Sequence, residues 1–423
     1  MALRVAAASA AVSRKAGRRR HRLGAFRLVP AESGRAYPDS MRRLLLLVST
    51  IVFVDAMLFT ALTPLVPKYA AEFDLSKLGA GMLVGAFGAG AILGGVPGGL
   101  IAARFGPKRA VLGGLLLLAA ASFAHAAANR AVGVGAARFV PGLSSTTTWA
   151  GALAWLAVET PVRRRGEVIG IAFGAAIFGA VLGPMLGGLA ELVGTRPSFA
   201  AVGIVALACT AVAWLARPAP PEPPGTGEVS RAFRDPRFLG GLWLNTLPAF
   251  LFGVLVVLGP LAFAAGGWST IGIAIVFFVA GLAEIVVNPV LGRVSDRVGR
   301  LLPIRLALVG SIVVALGLAV SEEPLVLALL VCAAAVSFGG FYTPGMALAS
   351  HRADVVGLAQ GLAFGLMNTA WALGEMTGPT IGGGLAEAFG DPVPYLVGAA
   401  LCALTLVASL RVAQAGRARP RAA

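Results

Sequence analysis

Twelve long apolar runs follow one another along the chain, at residues 44–66, 78–103, 110–128, 132–158, 168–190, 197–216, 237–262, 268–292, 303–321, 324–349, 356–384 and 393–411. Each is close to the ~20 residues that a helix needs to cross a hydrocarbon core. In lipid only helices and closed barrels satisfy every backbone polar group, and uninterrupted runs of this length select helices. The pattern predicts an all-α membrane protein with twelve transmembrane helices. The longest connection, residues 217–236 (RPAPPEPPGTGEVSRAFRDP), is Pro-rich and reads as a flexible linker. It separates an N-terminal six-helix bundle (41–216) from a C-terminal one (237–411), with a basic tail over 412–423.

Composition sharpens this picture. Of 423 residues, 57% are hydrophobic and 13% charged, about half the charged share of a soluble domain, which excludes a soluble enzyme. The net charge of +16 does not mark a nucleic-acid binder, because no compact basic domain exists to grip a duplex. Residues 1–40 carry 9 Lys/Arg against 2 acids and lack apolar periodicity, so they read as disordered. Three readings stay open for them: a basic cytoplasmic tail, a transit-type presequence, or translated sequence upstream of a start at Met41. With residue 43 cytoplasmic, 30 of the 35 basic residues fall on the cytoplasmic face or tails, which places both termini inside by the positive-inside rule. Cys209, Cys332 and Cys402 are isolated in apolar stretches, so neither a disulfide framework nor a metal site is expected.

Two patterns recur once per half. Gly179, Gly183, Pro184, Gly187 and Gly188 in the fifth span spell G-x-x-x-G-P-x-x-G-G, and Gly374, Gly378, Pro379, Gly382 and Gly383 spell it again in the eleventh. Gly99, Arg104, Gly106 and Arg109 between the second and third spans are echoed by Gly292, Arg297, Gly299 and Arg300 between the eighth and ninth. Nearly equal offsets imply an internal duplication, six spans plus six of like topology. Glycines four apart clear a groove for another backbone, and the proline permits a bend.

On these motifs the chain resembles the major facilitator superfamily, in particular its twelve-helix drug:proton antiporter branch. Gly292, Asp296, Arg297, Gly299 and Arg300 form the whole G-x-x-x-D-R-x-G-R loop, and the fifth-span pattern matches the antiporter signature. The first-span stretch from Asp55 through Thr60 and Pro64 to Pro67 is similar to that of vesicular monoamine transporters and their bacterial relatives. The resemblance implies two pseudo-symmetric six-helix bundles, a substrate cavity between them and alternating access. Ala103 stands where the first-half loop calls for Asp, and Pro141 where the fourth span calls for Gln. A cytoplasmic gate latched by Asp296 alone, against the start of the fifth span, is the expectation.

Charges within the spans are costly and are retained for function. There are four: Asp55, Arg138, Glu284 and Glu375. Their excess of carboxylates suits proton exchange and cationic substrates, and Arg138 matches a position that the family links to proton transfer. Thr60, Thr63, Ser144, Ser145, Thr148, Trp149, Asn245, Tyr342, Asn368 and Trp371 are the polar and aromatic candidates for a cavity wall, aromatic faces holding cations and apolar compounds alike. His125 and His351 receive no role. No phosphate loop, metal-ligand cluster or nucleophile–base pair is legible, so an enzyme or receptor lacks a site.

The expectation is therefore a monomeric proton-coupled efflux antiporter of small hydrophobic or cationic compounds in a bacterial plasma membrane, driven by the proton gradient with no bound cofactor. A sugar or metabolite exporter, facilitator or symporter on the same scaffold is the alternative.

Overall fold

The chain reverses at short turns, because glycines and prolines stand at the helix ends. The computed structural model describes residues 37–161, 164–221, 229–298, 301–358 and 360–417. Residues 43–423 make one compact unit. The basic segment that the sequence sets apart (1–40) lies outside the described residues up to position 36, as do 222–228 of the linker and the end of the tail.

The first span is α1 (Asp39–Thr60), a single 3-10 turn (Thr63–Leu65) and α2 (Val66–Glu72). There follow α3 (Lys77–Phe105), α4 (Pro107–Ala127), α5 (Ala131–Glu159), α6 (Arg165–Val193) and α7 (Thr195–Leu215). After the linker come a short α8 (Val229–Ala232), α9 (Pro236–Ala265), α10 (Thr270–Val298) and α11 (Leu301–Val320). The tenth span is again in two pieces, α12 (Pro324–Gly339) and α13 (Tyr342–Val356), and α14 (Gln360–Phe389) and α15 (Pro392–Arg417) complete the chain. All twelve apolar runs are helical, and no strand occurs among the described residues.

Among the described residues, ten helices are long and apolar enough to cross a membrane. The two spans outside that set are α5 and α14, of 29 and 30 residues. Their sequences explain why: α5 carries the hydroxyl run Ser144 to Thr148, and α14 carries Asn368, Glu375 and nine glycines or threonines from Gly365 to Gly384. Polar spans of this kind need shelter from lipid, and both pack against the two sides of α3.

Helix ends are set locally. Gly106 (φ +93) and Gly194 (φ +97) turn the chain between α3 and α4 and between α6 and α7, in the left-handed region that favours glycine. Ser76 caps α3, accepting from the backbone N–H of Gly79 at 3.2 Å. Asp235 caps α9, accepting from the N–H of Arg237 at 2.8 Å and of Phe238 at 3.1 Å, and it also pairs with Arg352 of α13.

Packing follows the glycines. In α6, Gly179, Gly183 and Gly187 lie against α1 at Phe53, Met57 and Ala61, while Gly188 faces Ala274 of α10. In α14, Gly374, Gly378 and Gly382 lie against α9 at Thr246, Phe250 and Val254, while Gly383 faces Lys77 and Leu78 of α3. Matching positions of the repeat thus do matching work: three glycines bind a neighbour within a half, and the fourth meets the other half. Two threonines seal the intra-half seams, Thr60 Oγ1 donating to the Ala180 carbonyl at 2.7 Å and Thr246 Oγ1 to that of Ala370 at 2.8 Å.

The seam between the halves is tight where α3 begins and α14 ends. The side of α3 bearing Gly81, Gly85 and Gly88 presses on the backbone of α14 from Ala372 to Thr380. Lys77 pairs with Asp391, and the backbone N–H of Leu78 donates to Glu387 at 2.9 Å. Hydrogen bonds from Ser76 and from the Leu78 N–H hold the Glu387 carboxyl below its ordinary range. Toward the other end, a side chain on Gly99, Gly170, Gly174 or Gly365 would meet nothing within 4 Å, so these glycines make no comparable backbone contact.

A methyl at Gly378 would come within 2.8 Å of the Phe250 Cα, whereas one at Gly174 has open space. Gly378→Ala is expected to lower stability by about 1–3 kcal/mol, and Gly174→Ala to leave it unchanged or raise it by up to ~1 kcal/mol. Thermal unfolding in detergent checks the pair.

At Asp235, burial raises the proton affinity, but the Arg352 hydrogen bond, the two backbone N–H groups and the Arg352 charge outweigh it and hold the carboxyl below its ordinary value. A depressed folded value contributes stability above the unfolded value near 4 that is lost as pH falls through the folded value. Wild type should therefore lose stability below about pH 4, and Asp235→Asn should be less stable at neutral pH with a flatter acid limb, read by melting across a pH series.

Candidate functional site

Asp55 sits five residues before the end of α1 and is buried. Ser145 Oγ donates to its Oδ2 at 2.6 Å and Trp149 Nε1 at 2.9 Å, both from α5. Ser145 and Trp149 share a helix face because they are four residues apart, and Trp149 is backed by Phe173 of α6, ring centroids 5.3 Å apart. No cation lies within ion-pair distance of Asp55 among the described residues. The result is a buried carboxylate with a hydroxyl and an indole N–H on one oxygen.

Arg138 lies two turns away on the same face of α5, roughly 10 Å by helical rise. It too is buried. Its Nη1 donates to the Phe59 carbonyl at 3.1 Å, and its guanidinium stands 5.3 Å from the Phe87 ring centroid and 6.0 Å from that of Phe59. Phe59 is in the final turn of α1, where carbonyls lack intrahelical partners and the helix dipole is negative. The break in the first span thus makes the acceptor that a buried guanidinium needs.

Phe59, Phe87 and Trp371 form an aromatic cluster, with centroids 4.7 Å (Phe59–Phe87), 5.5 Å (Phe59–Trp371) and 6.4 Å (Phe87–Trp371) apart. Trp371 reaches it from α14, across the seam. Phe364, Asn368, Trp371 and Glu375 recur at helical spacing and make one stripe of α14. Glu375 is buried and interacts electrostatically with Arg138. Tyr342, first residue of α13, feels the charges of both Glu375 and Glu284. Glu284 lies over Gly339, where a methyl would meet its Oε1 at 2.6 Å, at the break between α12 and α13. Arg138, Glu375, Tyr342 and Glu284 thus lie within range of one another's charge across the two halves, and Asp55 is held separately by Ser145 and Trp149.

Other expected cavity residues take different places. Thr60 is spent on Ala180. Thr63 is buried in the 3-10 turn, and Ser144 donates to the Pro141 carbonyl at 3.3 Å within α5. Thr148 is buried against Gly114 of α4. Asn245 is fully buried and donates to the Gly241 carbonyl of its own helix at 2.8 Å. Of the gate residues, Gly99 is open, and Arg104, Gly106 and Arg109 sit beside Lys108, whose Nζ donates to the Trp214 and Ala216 carbonyls at 2.6 and 2.7 Å. That loop is tied to α7 of its own half. Gly299 and Arg300 lie outside the described residues, and Gly292, Asp296 and Arg297 fall where side chains lie outside them too.

One pair escaped the sequence reading. Tyr69 of α2 and His125 of α4 share a buried hydrogen bond of 2.9 Å, and His125 stacks on Phe199 with centroids 3.9 Å apart. A small cavity separates His125 from Arg138. Nothing in a one-dimensional pattern pairs residues 56 positions apart.

The comparisons agree with this architecture. The Major Facilitator Superfamily profile matches residues 48–364, and the chain belongs to that family. It is 22% identical over 362 residues to Multidrug resistance protein 2 of Bacillus subtilis (strain 168), covering 82% of this chain and 89% of that protein. It superposes on the nucleoside transporter NupG with a TM-score of 0.71 at 12% identity, over 87% of this chain and 99% of that one. A D-xylose–proton symporter gives 0.69 at 17% identity, over 87% and 97%. The protein is thus a multi-pass membrane transporter of small molecules and not an enzyme.

Removing either partner of the Tyr69–His125 bond leaves a buried polar group unpaired, at about 1–3 kcal/mol. Tyr69→Phe and His125→Phe should each lower stability by that order, and the double variant by clearly less than their sum, the coupling being about 0.5–3 kcal/mol. Additive losses in unfolding measurements would show that the two side chains act separately.

Proposed function

We propose that the chain is a proton-coupled exporter of small hydrophobic or cationic compounds, working by alternating access in a bacterial plasma membrane with both termini cytoplasmic. The observation that carries the reading is Asp55: a buried carboxylate held by Ser145 and Trp149, with no cation in ion-pair distance among the described residues. Leaving such a group ionised and bare in a dry interior is unfavourable, so it takes either a proton or a cationic ligand, and the two compete. That competition is what couples an inward proton to an outward substrate. The name of the Bacillus subtilis relative, a multidrug resistance protein, supports export of diverse compounds.

Protons reach Asp55 when the cavity faces outside and displace the substrate. They leave it when the cavity faces inside, and substrate binds again. Glu375, Tyr342 and Glu284 form the second acidic group, with Arg138 adjusting its charge as the halves rock. With the termini inside, the tight end of the seam at Lys77, Asp391 and Glu387 is the outer one, and the conformation is inward-facing.

Proteoliposomes with an imposed pH gradient and an internal pH dye test the proposal. A panel of amines and amphiphilic drugs should evoke proton movement with wild type, and Asp55→Asn should fall to the level of empty liposomes. Counterflow of substrate without any proton movement would overturn the proton-coupled reading in favour of a facilitator.

A further inference from the structure

Lys108 is not the only cation at its end of the molecule. Arg104, Lys108 and Arg109 line a cavity of about 660 Å³ closed by Trp214 of α7 and by Pro218 and Pro221 of the linker. Lys108 is committed to the carbonyls that end α7, as suits a cation at a helix C-terminus. Arg104 and Arg109 have no ion pair among the described residues, and no acidic side chain lines the cavity among them.

Two further features favour an anion. The first turn of α4 starts at this cavity and has no side-chain cap; Pro107 carries no N–H and that of Ala110 returns to the Gly106 carbonyl, which leaves the N–H groups of Lys108 and Arg109 and the positive end of a helix dipole. At Gly106 the linker comes close, the Ala219 carbonyl lying 3.3 Å from where a side chain would begin, so the cavity has a fixed wall. With Ala103 the loop from 103 to 109 itself carries no acid beside the arginines.

The level of the cavity identifies the source of the anion. It lies where α3 ends, α4 begins and α7 ends, which is headgroup depth for spans of these lengths. Trp214 is 70% exposed, Leu215 84% and Phe105 50%, an aromatic and apolar rim of the kind found at the membrane interface. A soluble anion has no use for such a rim, whereas an acyl chain does.

We infer that this cavity seats the phosphate headgroup of an anionic membrane lipid, with Arg104 and Arg109 on the phosphate and the acyl chains leaving past Trp214. The bound lipid would join the loop between α3 and α4 to the start of the linker.

Native mass spectrometry and thermal unfolding of the full chain test this, with phosphatidylglycerol, phosphatidylcholine and glycerol phosphate as probes. Phosphatidylglycerol should be retained and should raise the melting temperature, and the other two should do neither. Two interfacial basic residues at the usual strength correspond to about a thirtyfold change in affinity. Arg104→Gln with Arg109→Gln should weaken phosphatidylglycerol binding by that order, and Arg130→Gln, at the far end of the molecule, should not. Ala103→Asp keeps both arginines and should also weaken it, so the test stands even if the double variant folds poorly. Undiminished binding in both, or equal retention of phosphatidylcholine, would overturn the inference. Glycerol phosphate binding as tightly as the lipid would assign the cavity to a soluble phosphate and overturn the lipid source.

Discussion

Close approach of helix backbones at glycine is the contact on which the remainder of this structure depends. In lipid no hydrophobic force draws one apolar helix to another, so association rests on van der Waals packing and interhelical hydrogen bonds. Gly179, Gly183 and Gly187 let α6 reach the backbone of α1, and Gly374, Gly378 and Gly382 let α14 reach α9. The remaining glycine of each repeat, Gly188 or Gly383, touches the opposite half. A repeat that looks like one signature is two surfaces, one holding a bundle together and one letting bundles meet and part.

That packing positions the charges. Bringing α1 against α6 fixes Asp55, and packing α5 on α3 fixes the donors that face it. The break after Thr60 frees the Phe59 carbonyl for Arg138. Without the break that carbonyl would be consumed by the helix, and a guanidinium buried among aromatic rings would lack an oxygen. The second broken span places Tyr342 between the fields of Glu284 and Glu375. Irregular backbone thus occurs at membrane depth where it faces protein polar groups, as the absence of water there requires.

The sequence reading found the four intramembrane charges but could not arrange them. Asp55, Arg138, Glu284 and Glu375 stand out because each is one ion in a long apolar run. Which of them interact depends on the register of four different helices. The hydroxyl candidates show the opposite difficulty: Thr60, Ser144 and Thr148 look like cavity groups, yet Thr60 bonds to the neighbouring α6, Ser144 bonds within its own helix, and Thr148 is buried against Gly114. Phe59 and Phe87 carry no polar atom and were invisible to a search for polar exceptions. Among the described residues, an ion pair between the halves joins Lys77 and Asp391, residues that hydropathy marks only as loop.

By itself the sequence determined that the chain is helical, that it crosses a membrane twelve times, that its halves are repeats, and that a few ions are buried in it. These properties follow from local rules: run length against bilayer thickness, and backbone groups that must pair within their own helix. Only the tertiary structure decided that Asp55 is held by Ser145 and Trp149, that Arg138 leans on a broken helix end, that Tyr69 meets His125, and that the halves press together where Lys77 meets Asp391. Those are matters of helix rotation and contact between distant segments. Hydropathy cannot encode them, because in lipid the outward faces of all the helices look alike.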